Sequence, residues 1–256
     1  MKTEIVEING CKLSVRRTGR GKPLLWLHGT DGLTEWPQII DRLVDEGHEV
    51  LAPDHPGFGA TPVPDWMDDV SDLAYLYIGL IERLDLAGVA LVGHSLGGWI
   101  AAEMAVRSTF LLDSLVLISA AGIHVKGHPK ADIFMIDPDE QARLAYASPE
   151  LGQAAGERAS AAKYQETAIA NRVASARFGW NPRFHNPRLE RWLGRIDIPT
   201  LIVWGDSDRI FAPVHAESFR RAIPTSDVAI IANAGHLPHV EQLDETHAVI
   251  SGFLAD

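Results

Sequence analysis

The sequence contains one cysteine, Cys11, in 256 residues, which excludes an intrachain disulfide and any thiolate metal cluster. Basic residues are few: 23 Lys and Arg stand against 34 Asp and Glu, a formal charge of -11. A surface of that sign repels phosphate backbones and anionic lipid, so nucleic acid is not an expected partner. No window approaches the roughly 18 uninterrupted apolar residues of a membrane-spanning helix. The opening segment MKTEIVEINGCKLSVRR alternates apolar and polar residues, where a secretory signal would carry a continuous apolar stretch. Cytoplasmic residence is therefore the expectation. No G-x-G-x-x-G loop follows the first buried run and no P-loop lysine occurs, so no nucleotide cofactor is implied. The 11 histidines fall into no H-E-x-x-H or Cys/His pattern, and no metal site is expected. Repeats and low-complexity segments are absent, and the sequence prescribes no oligomeric state. What is present is a globular composition, 46% hydrophobic and 22% charged, sufficient for one large domain or one domain carrying an insertion.

Two short alternating runs, Glu4 to Ile8 and Lys12 to Arg17, flank Asn9-Gly10, a strong hairpin signal that predicts an antiparallel edge. Short, nearly continuous apolar runs follow at 23–29, 48–54, 89–94, 114–119, 199–205 and 227–233. Unbroken apolar character means burial on both faces, as in a parallel sheet. Between them the spacing of Leu73, Tyr77, Leu80, Ile81 and Leu84 puts one apolar stripe on a helix, and helices are also expected near 36–46, 97–107, 215–222 and 242–254. Alternating strands and helices imply a doubly wound, mostly parallel α/β sheet.

The alternation breaks once. Residues 123–192 contain no strand-like run, include helix-compatible segments at 139–147 and 160–177, and carry Phe134, Met135, Tyr146, Tyr164, Phe178, Trp180 and Phe184. Such an insertion in a compact domain reads as a helical lid or binding element, with 1–122 and 193–256 as the core domain. An alternative is that the aromatics only build the insertion's own small core. Arg172, Arg177, Arg183 and Arg188 could grip a substrate carboxylate or form a solvated helix face.

The most specific chemical signal is Gly93-His94-Ser95-Leu96-Gly97-Gly98, between the run VALVGH and the helical run WIAAEMAVR. A serine nucleophile needs a tight strand-to-helix turn to stand clear of a sheet, and glycines two residues to either side remove side chains that would clash there. The turn also sets backbone N–H groups at a helix N-terminus, where an oxyanion can develop. Serine alone is a weak nucleophile and needs a base oriented by a carboxylate. Candidates follow at the carboxyl ends of later runs: Asp206 and Asp208 after PTLIVWG, and His236, with His239 three residues beyond, after the last strand-like run.

Five ordered segments, LHGT (27–30), DHPGFGAT (54–61), GHSLGG, WGDSDRIFAP (204–213) and NAGHLPHVEQ (233–242), together resemble the α/β-hydrolase-fold serine hydrolases, specifically the lid-bearing esterase, C–C hydrolase and haloperoxidase-like group. The resemblance covers nearly the full length. It implies a Ser95, Asp208, His236 triad, since the family's acid lies three residues after the glycine that ends its strand and its histidine follows a glycine. It implies oxyanion N–H groups from Thr30 and Leu96, a structural role for His28, a scaffold turn at Asp54, Pro56, Gly57 and Gly59, and a lid that brings Phe134, Met135, Tyr146, Phe178 and Trp180 over the nucleophile. No cofactor is implied.

The activity expected from this resemblance is hydrolysis of a carboxylic ester, thioester or lactone of a small to medium apolar substrate through an acyl-enzyme on Ser95. Two alternatives belong to other classes: cleavage of a carbon–carbon bond in a vinylogous diketone, and a catalytically silent binding protein on the same scaffold. The family's C–C hydrolases commonly carry tryptophan after the catalytic histidine, whereas Leu237 stands here. Dehalogenases and epoxide hydrolases of the fold place aspartate at the elbow, where this chain has Ser95.

Overall fold

Asn9 and Gly10 take positive φ values of 48° and 79°, which only a two-residue turn of the hairpin kind needs. They join β1 (Lys2–Ile8) to β2 (Cys11–Gly19) in antiparallel register, Ile8 opposite Cys11. The protein is seen here as a computed structural model, which describes residues 1–128 and 130–255.

The six expected apolar runs become β3 (Lys22–Leu27), β4 (His48–Pro53), β5 (Val89–His94), β6 (Leu112–Ile118), β7 (Thr200–Gly205) and β8 (Ser226–Ile231). With the hairpin they form one eight-stranded sheet in the order β1-β2-β4-β3-β5-β6-β7-β8. From β4 onward every pairing is parallel, and β2 joins β4 antiparallel. Period-two side-chain direction divides each central strand between two cores: Leu25, Leu27 and Leu91 face one, Leu24, Trp26 and Val92 the other.

Helices α1 (Gln38–Asp45) and α9 (Leu243–Ala255) contribute Ile39, Leu43, Ile250 and Leu254 to the second core. Helices α2 (Val70–Arg83), α3 (Leu96–Arg107) and α7 (Val214–Ala222) cover the opposite face. Asp69 and Asp72 cap the start of α2 reciprocally, each side chain accepting the other's backbone N–H. Coverage of both faces is why the central strands are continuously apolar; β8, at the sheet edge, is only partly covered despite its apolar run, and Ile230 is exposed. Among the described residues no helix is long and apolar enough to cross a membrane.

Between β6 and β7 the chain forms α4 (Pro138–Ala145), α5 (Pro149–Ser160) and α6 (Ala162–Gly179), then the short helix α8 (Pro238–Glu241) follows β8. Helix α5 falls where the sequence reading had no element. Gly152 and Gly156 weaken its pattern, but both glycines pack tightly against α4, at Ala142 and Asp139, and Ser148 caps its N-terminus with Pro149 next in line.

Candidate active site

Ser95 stands at the junction of β5 and α3 with φ 53° and ψ −112°, a conformation that costs a non-glycine residue roughly 1–3 kcal/mol. The surrounding glycines make it attainable. A Cβ at Gly93 would collide with the Gly97 carbonyl, and one at Gly97 would strike the Leu27 carbonyl on the neighbouring strand. The turn is held by Ser95 N–H donating to the Ile118 carbonyl at 2.9 Å.

The sheet brings His236 and Asp208 to the same end. His236 Nδ1–H donates to Asp208 Oδ2 at 2.9 Å, which leaves Nε2 facing Ser95 Oγ at 2.9 Å. Asp208 is fixed in turn by the N–H groups of Ile210 (2.8 Å) and Phe211 (2.9 Å), both on Oδ1. The carboxylate therefore has one oxygen for the loop and one for the imidazole. Asp206 is exposed and accepts only the Ser207 hydroxyl. His239 is packed edge-on against Trp26 and His94, and it is His236, not His239, that hydrogen-bonds Ser95.

Thr30 and Leu96 flank the serine, Thr30 in the β3–α1 loop and Leu96 at the first position of α3. Among the described residues neither backbone N–H has an acceptor, so both are free to donate to an oxyanion. Gly29 runs directly against the serine, since a Cβ there would lie 3.3 Å from that of Ser95.

A shell of neutral histidines surrounds this site. His28 Nδ1–H donates to the Gly29 carbonyl (2.6 Å), and its Nε2 accepts the His55 backbone N–H (2.9 Å). The His55 ring donates to the His28 carbonyl (2.9 Å) and accepts from Tyr77. His94 Nε2–H donates to the His236 carbonyl (2.9 Å). Burial pushes His28 down to about 4 and His239 to about 3, and holds His55 and His94 well below the ordinary imidazole value. The rings of His28, His55 and His94 position backbone, and all four carry no charge at neutral pH.

The corner between α4 and α5 is fastened to the loops that carry Asp208 and His236. Glu241 accepts Ala147 N–H (2.8 Å) and Ser148 N–H (3.0 Å) on one oxygen and Gly235 N–H (2.6 Å) on the other. His236 N–H donates to the Ala145 carbonyl at 2.6 Å. Arg209, next to Asp208, donates to the carbonyls of Arg143 and Tyr146.

Two connected spaces lie beneath this corner. A narrow lobe of about 20 Å³ is lined by Ser95, His236, Phe184, Ile210 and Phe211, among others, room for roughly one water-sized group. It shares Thr30, Asp31, His94, Ile133, Gln141 and Ala145 with a cavity of about 520 Å³ that runs under α4 and α6 and along the β3–α1 loop. Of the five aromatic and apolar residues expected to cover the nucleophile, Phe134 and Tyr146 line this cavity. Met135 is 73% exposed, Trp180 is 51% exposed beneath the Arg183 guanidinium, and Phe178 is buried in the core; none of the three lines either space. A helical period cannot say which side of a lid helix meets the sheet, and here α6 turns Asn171 and Ser175 to the cavity instead.

Three of the four arginines of the insertion are occupied. Arg172 donates to the carbonyls of Phe134 and Ile136, Arg177 to that of Met67, and Arg183 pairs with Asp132; Arg188 is exposed. The Asp54 carboxylate accepts Arg16 and the Ala60 N–H beneath the site. Asp31, Gln141 and Ile133 escaped the sequence reading although all three line both spaces. Adjacency to Thr30 was the available signal for Asp31. No group of three side chains suited to holding a metal occurs among the described residues.

Residues 22–243 match the sequence profile of the alpha/beta hydrolase fold. The chain is 29% identical over 239 residues to Lipase 1 of Psychrobacter immobilis, covering 88% of this chain and 74% of the lipase. It is 26% identical to the 2-hydroxy-6-oxo-6-phenylhexa-2,4-dienoate hydrolase of Comamonas testosteroni, covering 92% and 88%. A solved structure of a bacterial membrane phospholipase A superposes with a TM-score of 0.81 at 27% identity, covering 99% of this chain and 86% of that one. With the match running from β3 through the elbow and the helical insertion to the start of α9, the chain belongs to the alpha/beta hydrolase fold family and is a hydrolase.

Proposed function

We propose that this hydrolase is a serine carboxylesterase that forms an acyl-enzyme on Ser95. The observation that carries the reading is the unbroken relay from Asp208 through His236 to Ser95, two 2.9 Å hydrogen bonds ending on a hydroxyl in the narrow lobe. Ser95 Oγ attacks the ester carbonyl while its proton passes to His236 Nε2. The oxyanion takes the N–H groups of Thr30 and Leu96, and the imidazolium is held by Asp208. Collapse expels the alcohol, which carries away the proton from Nε2. Water then repeats the sequence against the acyl-enzyme and releases the acid. The lobe around Ser95 accommodates little beyond the reacting group, so the bulk of the substrate occupies the larger cavity, whose walls include Ile133, Phe134, Ala142 and Tyr146. These residues are the proposed acyl- or alcohol-binding surface, and α4 to α6 the proposed lid.

Carbon–carbon cleavage of a dienoate is the second reading, and the similarity to the Comamonas enzyme favours it. Two features count against it: Leu237 after His236, and the carboxylate of Asp31 at the place where an anionic substrate would approach the serine. Rapid mixing with p-nitrophenyl butyrate decides between them. A burst of nitrophenol equal to the enzyme concentration, followed by slower turnover, is expected. Turnover of a phenyl-substituted dienoate with no ester turnover would reverse the assignment.

A further inference from the structure

Four residues lining the two spaces carry formal charge at neutral pH: Asp31, Glu35, Arg158 and Arg172. Glu35 and Arg158 are paired with each other. Arg172 spends its guanidinium on the carbonyls of Phe134 and Ile136. Of the histidines on the walls, His28, His94 and His239 are held neutral by burial, and His236 is hydrogen-bonded to Asp208 and Ser95 rather than to Asp31. Asp31 alone is uncompensated: its side chain has no hydrogen-bond or ion-pair partner among the described residues, although the residue is well anchored. Its backbone carbonyl accepts Asn171 Nδ2 from α6 at 2.8 Å and the Thr34 hydroxyl at 3.1 Å.

Asp31 also lies where the two spaces meet. It lines both, next to Thr30, and the charge of His236 reaches it. The carboxyl is open to solvent at this junction, so a ligand entering the cavity can reach it directly. The larger cavity brings aromatic surface to the same region. Tyr146 feels the charge of Asp31, and Trp36 and Tyr164 line other parts of the same cavity. A carboxylate beside aromatic faces suits an organic cation, which draws on both Coulomb and cation–π attraction.

We propose that Asp31, with Tyr146 near it, is a cation subsite of this cavity, and that the preferred ester carries a compact ammonium group close to its scissile carbonyl. The proposal rests on the esterase reading for its chemistry but on Asp31 for its selectivity. An ammonium group in this place supplies the missing counter-ion, and a carboxylate there is repelled. The cation belongs to either the acyl or the alcohol half of the ester.

The test uses binding to the Ser95→Ala protein, so that it does not depend on turnover. Two ligand pairs are titrated calorimetrically at low salt. In one, butyrylcholine is compared with the uncharged isostere in which carbon replaces the ammonium nitrogen. The other places the trimethylammonium group on the acyl half of a methyl ester and compares it with the corresponding carbon isostere. In at least one pair the cationic member should bind about ten-fold more tightly, the low end for a close charge pair. Adding Asp31→Asn should abolish that preference and Asp31→Glu should retain part of it, and the responding pair identifies the half of the ester involved. Equal binding within both pairs, no binding by any of the four, or a preference that survives Asp31→Asn would overturn the proposal. Kinetics of the same esters with the unsubstituted enzyme separate the two ideas. If none is hydrolysed while the Asp31-dependent preference stands, the esterase reading fails and the subsite remains.

Discussion

Lowering the pH from 7 to 5 should destabilise this fold strongly through its buried histidines. His28 and His239 are buried in the native state, with their pKa values lowered to about 4 and about 3. In the unfolded chain both return to about 6.5. Below that value the unfolded state binds more protons than the native state, so stability is fully present above the unfolded pKa and is lost as the pH falls toward 4 and 3. The linkage relation gives a loss of about 2 kcal/mol for each residue between pH 7 and pH 5, about 4 kcal/mol for the pair. His55 and His94 shift in the same direction and add to it. Asp31, with its carboxyl raised, works the opposite way and offsets part. A loss of 4 kcal/mol is a large share of the roughly 5–15 kcal/mol that holds a domain together. Reversible urea unfolding followed by tryptophan fluorescence at pH 7, 6 and 5 measures it. His239 is the residue to replace, because its Nδ1 is buried without a partner and leucine there sacrifices no hydrogen bond to that atom. His239→Leu should remove about 2 kcal/mol of the pH-dependent loss. Stability flat to within about 1 kcal/mol between pH 7 and 5 would refute the reasoning, as would a His239→Leu protein with an unchanged pH dependence.

Asp208→Asn should lower kcat by about 10³ to 10⁴, because the amide can hold His236 in the wrong tautomer, whereas Asp206→Asn should have little effect; steady-state kinetics that reverse the two would move the acid by two residues. Glu241→Gln puts an amide N–H against backbone N–H groups of Gly235, Ala147 or Ser148, and should cost about 2 kcal/mol in urea unfolding with faster hydrogen exchange at 145–148; unchanged exchange there would separate the clamp from the lid. Across p-nitrophenyl esters, each methylene buried in the larger cavity contributes at most about 0.8 kcal/mol, so kcat/KM should rise from acetate to butyrate or hexanoate and then fall. Phe134→Ala should flatten that series, Met135→Ala and Trp180→Ala should not, and the opposite pattern would show that the lid closes differently.

The positions of the strands, the strand-to-helix turn at Ser95 and the residues that hydrogen-bond to it were legible because each is written in local chemistry. Continuous apolar runs report burial on both faces, Gly93 and Gly97 report close backbone contact, and His236 follows the glycine that its loop requires. The helical insertion was legible as an interruption but not as a surface. Its apolar residues are scattered around α6, with Ile169 and Val173 exposed, so no stripe marks the face that meets the core. Phe178 and Trp180 lie two residues apart, one buried and one half exposed, a division set by tertiary packing. Asp31 was hidden for a different reason: a carboxylate in a loop looks like any solvated loop residue until the paired Glu35 and Arg158 beside it show that it alone lacks a counter-ion.

The central claim is that Ser95 is the nucleophile. Incubation with a fluorophosphonate, followed by peptide mass spectrometry, tests it in one step. The account predicts one phosphonyl group per chain, on Ser95, with loss of ester turnover in proportion to labelling and no label in the Ser95→Ala protein. An active preparation that takes no label, or that carries it on another residue while Ser95 stays free, would contradict the account.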